Sequence, residues 1–401
     1  MIDFELSDEH KILIQTTREF AARELAPVIQ ENDIHQEYDP ATFGKLASLG
    51  LTGVCFPERY GGSGMDYISL ALVCEELEYI DTSLRVILSV HTGLCSGGIY
   101  QWGSEEQKQQ FLVPLARGER FGAFGLTGPE AGSDVAGMNA TARRDGDHYV
   151  LNGEKIWVSA ADVADTFLVF AYTDKTQKHR GISAFIVERA EAGSGFKSYT
   201  LHNKAGIRAG NTGGFAMQDV RVPRATLLGE EGEGFKIAMS CLDNGRLTVG
   251  AGAVGLIRAC LDASVKYSHD RKTFGEEIGK YQLVQQMIAR MVSNYDASRL
   301  LNLRAAWMKN KGQRCTRETA LGKWFATDAS FQAAADAVQI HGAYGYSDEY
   351  PVARFLRNAK GAQIYEGTSQ IQTLMQAEYA LGYRQDKPLR RTLPAYEGEG
   401  G

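Results

Sequence analysis

The hydrophobic period of this sequence changes twice, near Arg120 and again near Gly234, so the chain must combine unlike architectures. Before Arg120 the apolar residues recur at helical spacing. Ser7 caps a run whose first turn holds Asp8 and Glu9. Ile12, Leu13, Phe20 and Leu25 follow, and Pro27 is expected to close the run. Asp39-Pro40 reads as a cap with a first-turn proline, and Gly50 marks the far end of that helix. Tyr60-Gly61-Gly62-Ser63-Gly64 reads as a loop, a long helical pattern starts at about Asp66, and Ser104-Glu105-Glu106-Gln107 is a capping-box signature. Beyond Arg120, β-branched and aromatic residues alternate with polar ones. Residues 148–151 and 155–159 flank Asn152-Gly153, which predicts a hairpin turn, and 166–172, 182–187 and 214–222 are further strands. From Gly234 the helical period returns, with helices expected over 235–244, 247–270, 281–311, 316–340 and 370–381, long enough for a bundle. The chain is therefore α+β: a helical domain over 1–120, a β domain over 121–226, a helical bundle over 227–384 and a surface tail over 385–401.

A net charge of -6 argues against nonspecific binding to nucleic acid or an anionic membrane, while leaving room for an anionic ligand in a local basic pocket. Met1-Ile2-Asp3-Phe4-Glu5 is acidic and lacks the basic and apolar regions of a secretion signal. No apolar run is expected to span a membrane, and the longest, around 167–172, reads as a strand. The six cysteines form no C-x-x-C and the eight histidines are scattered, so reduced thiols, a cytoplasmic location and no protein metal site are expected.

Gly250-Ala251-Gly252-Ala253-Val254-Gly255 matches the dinucleotide fingerprint G-x-G-x-x-G, with Asp270 at a suitable distance. Phe235, Met239 and Leu242 before it have helical spacing, the segment after it stays helical, and no second strand follows. The stripe reads as a close helix–helix contact, and an NAD-dependent enzyme is the weaker alternative. A different stretch carries stronger chemistry. In Tyr365-Glu366-Gly367 a carboxylate lies between an aromatic wall and a glycine that admits a close ligand; burial against the ring would make Glu366 a better base. The same residues, with Thr368 or Ser369 as cap, also read as an ordinary helix start.

Five segments between residues 124 and 372 resemble motifs of the acyl-CoA dehydrogenases, in that family's order. The resemblance implies an N-terminal helical domain, a middle β-barrel and a C-terminal four-helix bundle. It also implies non-covalent FAD, a homotetramer, an acyl-CoA substrate and electron-transfer flavoprotein as acceptor. Phe124-Gly125-Leu126-Thr127 and Ser133 resemble the loop beside the flavin, Thr127 at the ring edge and Ser133 on the pyrophosphate and CoA side; Gly128 and Glu130 depart from the family pattern. Trp157-Val158-Ser159 resembles the segment covering one flavin face, and strand alternation would place residues 157 and 159 together; Ala160 replaces a frequent asparagine. Arg271, Phe274 and Gln282 match residues that reach the FAD of a neighbouring subunit. Gln339 and Gly342 match its adenine and pyrophosphate contacts, with Ala343 in place of a second glycine. Thr368 and Gln370 match residues near the flavin, Asp243 and Arg246 the helix lining the acyl cavity and CoA arm, and Glu366 the catalytic base, with Tyr365 and Gly367 beside the substrate. Some members carry the base on that helix, where this chain has Gly245.

The implied reaction is α,β-dehydrogenation: Glu366 takes the α-proton, hydride passes from the β-carbon to flavin N5, and the amide of Glu366 stabilises the enolate-like oxygen. Ile80-Asp81-Thr82-Ser83-Leu84-Arg85-Val86-Ile87-Leu88-Ser89 resembles the substrate helix of the glutaryl-CoA dehydrogenase branch, where an arginine and a serine four residues on bind a distal carboxylate. Arg85 and Ser89 have that spacing, which suits a glutaryl-CoA or substituted succinyl-CoA. A short, branched or cyclic monocarboxylic acyl-CoA stays open, as do pairing of Arg85 with Asp81 or Glu78 and a catalytically silent FAD-binding relative.

Overall fold

A computed structural model describes residues 5–398, so Met1–Phe4 of the acidic N-terminus lie outside it. The N-terminal part is helical: α1 (Asp8–Phe20), α2 (Ala26–His35), α3 (Ala41–Ser48), α4 (Tyr67–Ile80), α5 (Thr82–Leu88), α6 (Gly97–Trp102), α7 (Glu105–Gln107) and α8 (Val113–Ala116). The caps act where the sequence has them. Ser7 accepts from His10 N, Asp66 from Ser69 N, and Ser104 and Gln107 form a complete capping box. Pro27 does not end the first run. A π-helical turn over Ala21–Leu25 carries the chain into α2, where proline sits in the first turn and needs no N–H partner. Asp81 both ends α4 and caps α5, its extended backbone breaking the long helix in two.

The middle part is one eight-stranded mixed sheet: β1 (Gly122–Gly125), β2 (Thr141–Asp145), β3 (His148–Ser159), β4 (Thr166–Tyr172), β5 (Ile182–Glu188), β6 (Phe196–Thr200), β7 (Thr212–Pro223) and β8 (Leu227–Leu228). Its order is β6-β7-β3-β2-β4-β5-β8, with β1 parallel to β4. It rolls over on itself: Phe167 of β4 meets Phe196 of β6 and Phe215 of β7 at 5.0 and 5.1 Å, across strands that are not neighbours in the sheet. Asn152-Gly153 is not the hairpin turn. It lies inside β3 at a β-bulge against β7, where Asn152 and Asp219 exchange hydrogen bonds of 3.0 and 2.9 Å. The turn is Gly146-Asp147, between β2 and β3.

The C-terminal part holds α9 (Gly234–Asp270), a β9 (Lys272–Thr273) and β10 (Glu276–Glu277) hairpin, α10 (Gln282–Asn310), α11 (Thr316–His341), α12 (Val352–Ala362) and α13 (Ser369–Ala380). Two expectations change. Residues 235–244 and 247–270 form one 37-residue helix, and α12 was not anticipated although Val352, Phe355, Ala359 and Ala362 bury one face. By length and composition α9 could cross a membrane, but it is mostly buried at the centre of the protein. Its glycine stripe is a packing device rather than a nucleotide loop. A Cβ at Gly250 would collide with Asn302, one at Gly252 with Glu78, and one at Gly255 with the backbone carbonyl of Glu75. Gly255→Ala should therefore cost about 1–3 kcal/mol, read as a lowered urea midpoint at unchanged slope.

The tail is irregular and lies on the surface, but it is fastened. Arg390 forks onto Glu233 at 2.9 and 2.5 Å, Gln101 donates to Arg391 O, Tyr396 N to Asn310 O, and Leu389 and Leu393 pack on the core. All six cysteines are free and buried, and no metal-binding group of His, Cys, Asp or Glu occurs among the described residues.

Candidate active site

Glu366 lies in the turn between α12 and α13, in the left-handed region at φ 55°, followed by Gly367 at φ 95°. Its N–H has no acceptor among the described residues. Its Oε2 is buried without a hydrogen-bond partner. Burial pushes the carboxyl up to about 7, opposed by Arg85, Lys323 and Arg246. A Cβ at Gly245 would strike Glu366 Oε2, so the glycine on α9 makes room for the carboxylate. Thr368 caps α13, accepting from Ile371 N, so the helix-start reading of this stretch also holds, and the two readings are compatible.

Arg85 is 1% exposed and sits in the last turn of α5. Nε donates to Glu78 Oε2 at 2.5 Å, Nη1 to Ser89 Oγ at 2.9 Å and Nη2 to Tyr365 Oη at 2.6 Å. Burial is the largest single influence and opposes its charge, but Glu78, Tyr365 and Glu366 together hold the guanidinium above its ordinary value. Of five N–H donors two remain, one on each terminal nitrogen. Tyr365 is thus more than an apolar wall; its hydroxyl ties the turn to Arg85, and burial raises its pKa. On α9, Arg246 donates to Asp243 Oδ1 at 3.0 Å, Thr316 Oγ1 donates to Asp243 Oδ2 at 2.6 Å, and Arg246 Nε is buried and unpartnered.

A second group of residues gathers where β1 runs into its loop. Ile156 N donates to Thr127 O at 3.0 Å, and Lys155 Nζ to Leu126 O at 2.8 Å, so β3 braces the loop. Phe124, Leu126 and Val158 are buried, whereas Trp157 is 62% exposed. Simple alternation does not account for Trp157 and Ser159. A bulge between Ile156 and Val158 and a φ of 59° at Trp157 turn the indole outward. Trp157 is therefore not a core tryptophan. The departures at residues 128 and 130 compensate each other: Gly128 leaves space for Glu130, whose Oε1 accepts from Asn139 N at 2.5 Å. Ala160 holds a φ of 62°, a conformation asparagine adopts more readily. The hydroxyls of Thr127, Ser133 and Ser159 have no partner among the described residues. Free hydroxyls beside an exposed indole fit a flavin, which offers polar ring edges and an apolar face.

A third group lies at one end of the bundle and shares no hydrogen bond or ion pair with Glu366. Phe274 is 98% exposed beyond β9, and Arg271 lies over Tyr344 at 5.8 Å. Gln282 opens α10, Gln339 and Gly342 close α11, and neither glutamine side chain is partnered among the described residues. Gly342 takes the unusual conformation, φ 59° and ψ -136°, and so Ala343 can stand in for a glycine. Gln370 is exposed on the first turn of α13. The sequence reading missed Lys323, buried on α11, and the partnership of Lys155 with the loop. For Lys323 a signal existed: a lysine in helical register with Ala320, Thr327 and Ser330 on a small-residue face.

Models of the acyl-CoA dehydrogenase family match the chain in order: the N-terminal domain over residues 7–119, the middle domain over 123–220 and the C-terminal domain over 232–381. A short-chain specific acyl-CoA dehydrogenase of Clostridium acetobutylicum is 41% identical over 377 residues, covering 93% of this chain and 98% of its own. A chain solved in a study of the electron transferring flavoprotein of Acidaminococcus fermentans superposes with a TM-score of 0.93 at 43% identity, covering 95% of this chain and 100% of that one. A glutaryl-coenzyme A dehydrogenase in complex with glutaryl-CoA gives 0.91 at 39% identity, with 96% and 98% covered. By these matches along almost its whole length the chain belongs to the acyl-CoA dehydrogenase family, as an FAD-dependent oxidoreductase.

Proposed function

We propose that the chain oxidises an acyl-CoA whose acyl group ends in a carboxylate, such as glutaryl-CoA or a substituted succinyl-CoA, with Glu366 as the base. The observation that carries the reaction is the buried, unpartnered Oε2 of Glu366 beside a free backbone N–H at positive φ. A carboxylate in its charged form takes the α-proton, and the N–H of Glu366 is free to bond the thioester oxygen as charge gathers there. FAD, when bound, supplies the hydride acceptor. Thr127, Trp157 and Ser159 hold and cover the flavin ring, with Phe124, Gly125, Leu126 and Val158 shaping the seat and Thr368 and Gln370 at its edge. Ser133 serves the pyrophosphate and CoA side, and Asp243 and Arg246 line the CoA arm. Tyr365 and Gly367 flank the acyl group.

The carboxylate reading rests on Arg85. Two N–H groups of a buried guanidinium remain unused, next to Ser89 and one residue from the base. The short-chain relatives favour a second reading, a monocarboxylic acyl-CoA. Electron-transfer flavoprotein as acceptor is supported by the neighbour solved in a study of that partner. Arg271, Phe274, Gln282, Gln339 and Gly342, exposed and sharing no hydrogen bond or ion pair with Glu366 among the described residues, support a homotetramer in which they complete a neighbour's FAD site. Six buried thiols support the reducing cytoplasm, and the domain boundaries near residues 120 and 226 follow the two changes of period, with that near 384 past the end of α13 at Ala380. The test is the anaerobic visible spectrum of the holoprotein with glutaryl-CoA and, separately, with butyryl-CoA. Bleaching of the flavin by glutaryl-CoA alone is expected. Bleaching by butyryl-CoA alone would keep the reaction and overturn the carboxylate, and bleaching by no acyl-CoA would point to a silent relative.

A further inference from the structure

The turn that carries Glu366 is braced from one side by α11. Asp328 accepts from Gln363 Nε2 and from Ser369 Oγ, both at 2.7 Å and on opposite sides of Glu366. Between them, Lys323 Nζ donates to Gly367 O at 2.7 Å, its one hydrogen bond among the described residues. Gln372 Nε2 adds weaker bonds of 3.2 Å to the carbonyls of Glu366 and Gly367. Lys323 itself is fully buried. A lysine needs no charge to pack against alanines and threonines, and burial drives its pKa down while Glu366 pulls it up.

We propose that Lys323 is the positioning residue of the Glu366 turn, fixing the Gly367 carbonyl and keeping a positive charge beside the carboxylate that receives the α-proton. The inference rests on Glu366 being the base. The charged groups around that carboxylate come from four elements: Arg85 from α5 with Glu78 from α4, Arg246 from α9, and Lys323 with Asp328 from α11. Arg85 is neutralised by Glu78 and Arg246 by Asp243. Lys323 faces the turn with a carbonyl as its bonded partner and no ion pair of its own among the described residues, and Glu366 and Asp328 are the acidic groups that favour its charge against burial.

Lys323→Met keeps the length of the side chain and removes charge and donor; Lys323→Gln removes the charge but can still donate to Gly367 O. In both, the acid limb of the flavin-reduction rate against pH should move up by about one unit, an approximately tenfold slower reaction on that limb. Acyl-CoA affinity should stay within about threefold, because the lysine touches no substrate atom. Lys323→Arg, if it retains FAD, should return the limb toward that of the parent. An infrared titration of the Glu366 carboxyl, assigned by difference from Glu366→Gln, should show the same shift without turnover. FAD-loaded Met and Gln variants with the parent's acid limb and carboxyl titration would overturn the proposal. So would failure of both to hold FAD, which would make Lys323 a packing residue. Glu366→Gln separates the two levels of argument. If it reduces flavin at the parent's rate the base assignment falls; if it is inactive while the lysine variants titrate normally, only the role of Lys323 falls.

Discussion

Glu366→Gln should slow flavin reduction by roughly a thousandfold while leaving FAD content and acyl-CoA binding intact. The amide keeps the size and the backbone N–H but cannot accept the α-proton. In the parent the rate should rise with pH and level off above about 7, because the carboxyl must be deprotonated to act and burial has brought it up to about 7. The same displacement has a thermodynamic sign. The folded chain holds this proton more tightly than the unfolded chain, whose carboxyl titrates near 4.5. Its stabilising contribution is therefore complete below about 4.5 and is lost as pH rises through about 7. At pH 8 Glu366→Gln should be the more stable protein, by on the order of 1–3 kcal/mol, measured as a higher denaturant midpoint. An active and less stable glutamine variant would remove both the role and the burial argument.

Arg85→Met should be strongly destabilising, by about 3–5 kcal/mol. It strands Glu78, a fully buried carboxylate whose hydrogen bonds come from Arg85 Nε and from Thr82 Oγ1 at 2.9 Å. It also frees Ser89 Oγ, which shares a 2.6 Å bond with Thr248 Oγ1, and the hydroxyl of Tyr365. The double variant Glu78→Gln/Arg85→Met should recover much of that loss, because no unpaired charge remains. Equilibrium urea unfolding of the two variants decides this. A single variant as stable as the double would mean that Glu78 is not charged in the folded protein. For the double variant, bleaching by glutaryl-CoA should vanish and bleaching by butyryl-CoA should survive.

Much of the helical boundary detail was legible because caps are local: Ser7, Asp66 and Ser104 act through atoms within a few residues. The strands at 166–172 and 182–187 were legible from composition, being buried on both faces. The errors share a cause. Asn152-Gly153 satisfies a hairpin rule, but β7 pairs along the whole of β3 and absorbs the glycine as a bulge. Trp157 escapes alternation for the same reason. Pro27 satisfies a helix-stop rule, yet a π turn upstream places it where a helix begins. In the two strand cases a long-range partner decides between locally valid conformations, and at Pro27 the preceding turn does. The site shows the same division. The motif around Glu366 can be found in the sequence, but the lysine bracing it comes from 43 positions earlier, on a different helix.

Gly252 has an implication for how such chains diversify. A methyl group there would run into Glu78 and Arg85 together, so the close packing of α9 and the buried ion pair depend on one another. A descendant that exchanged the Glu78–Arg85 pair for smaller apolar side chains would be released to carry alanine or serine at position 252. One that kept the pair would not. The identity of a residue in the middle of a structural helix is thus tied to the buried ion pair it packs against, and under the carboxylate reading proposed above that glycine would mark which chains keep the pair.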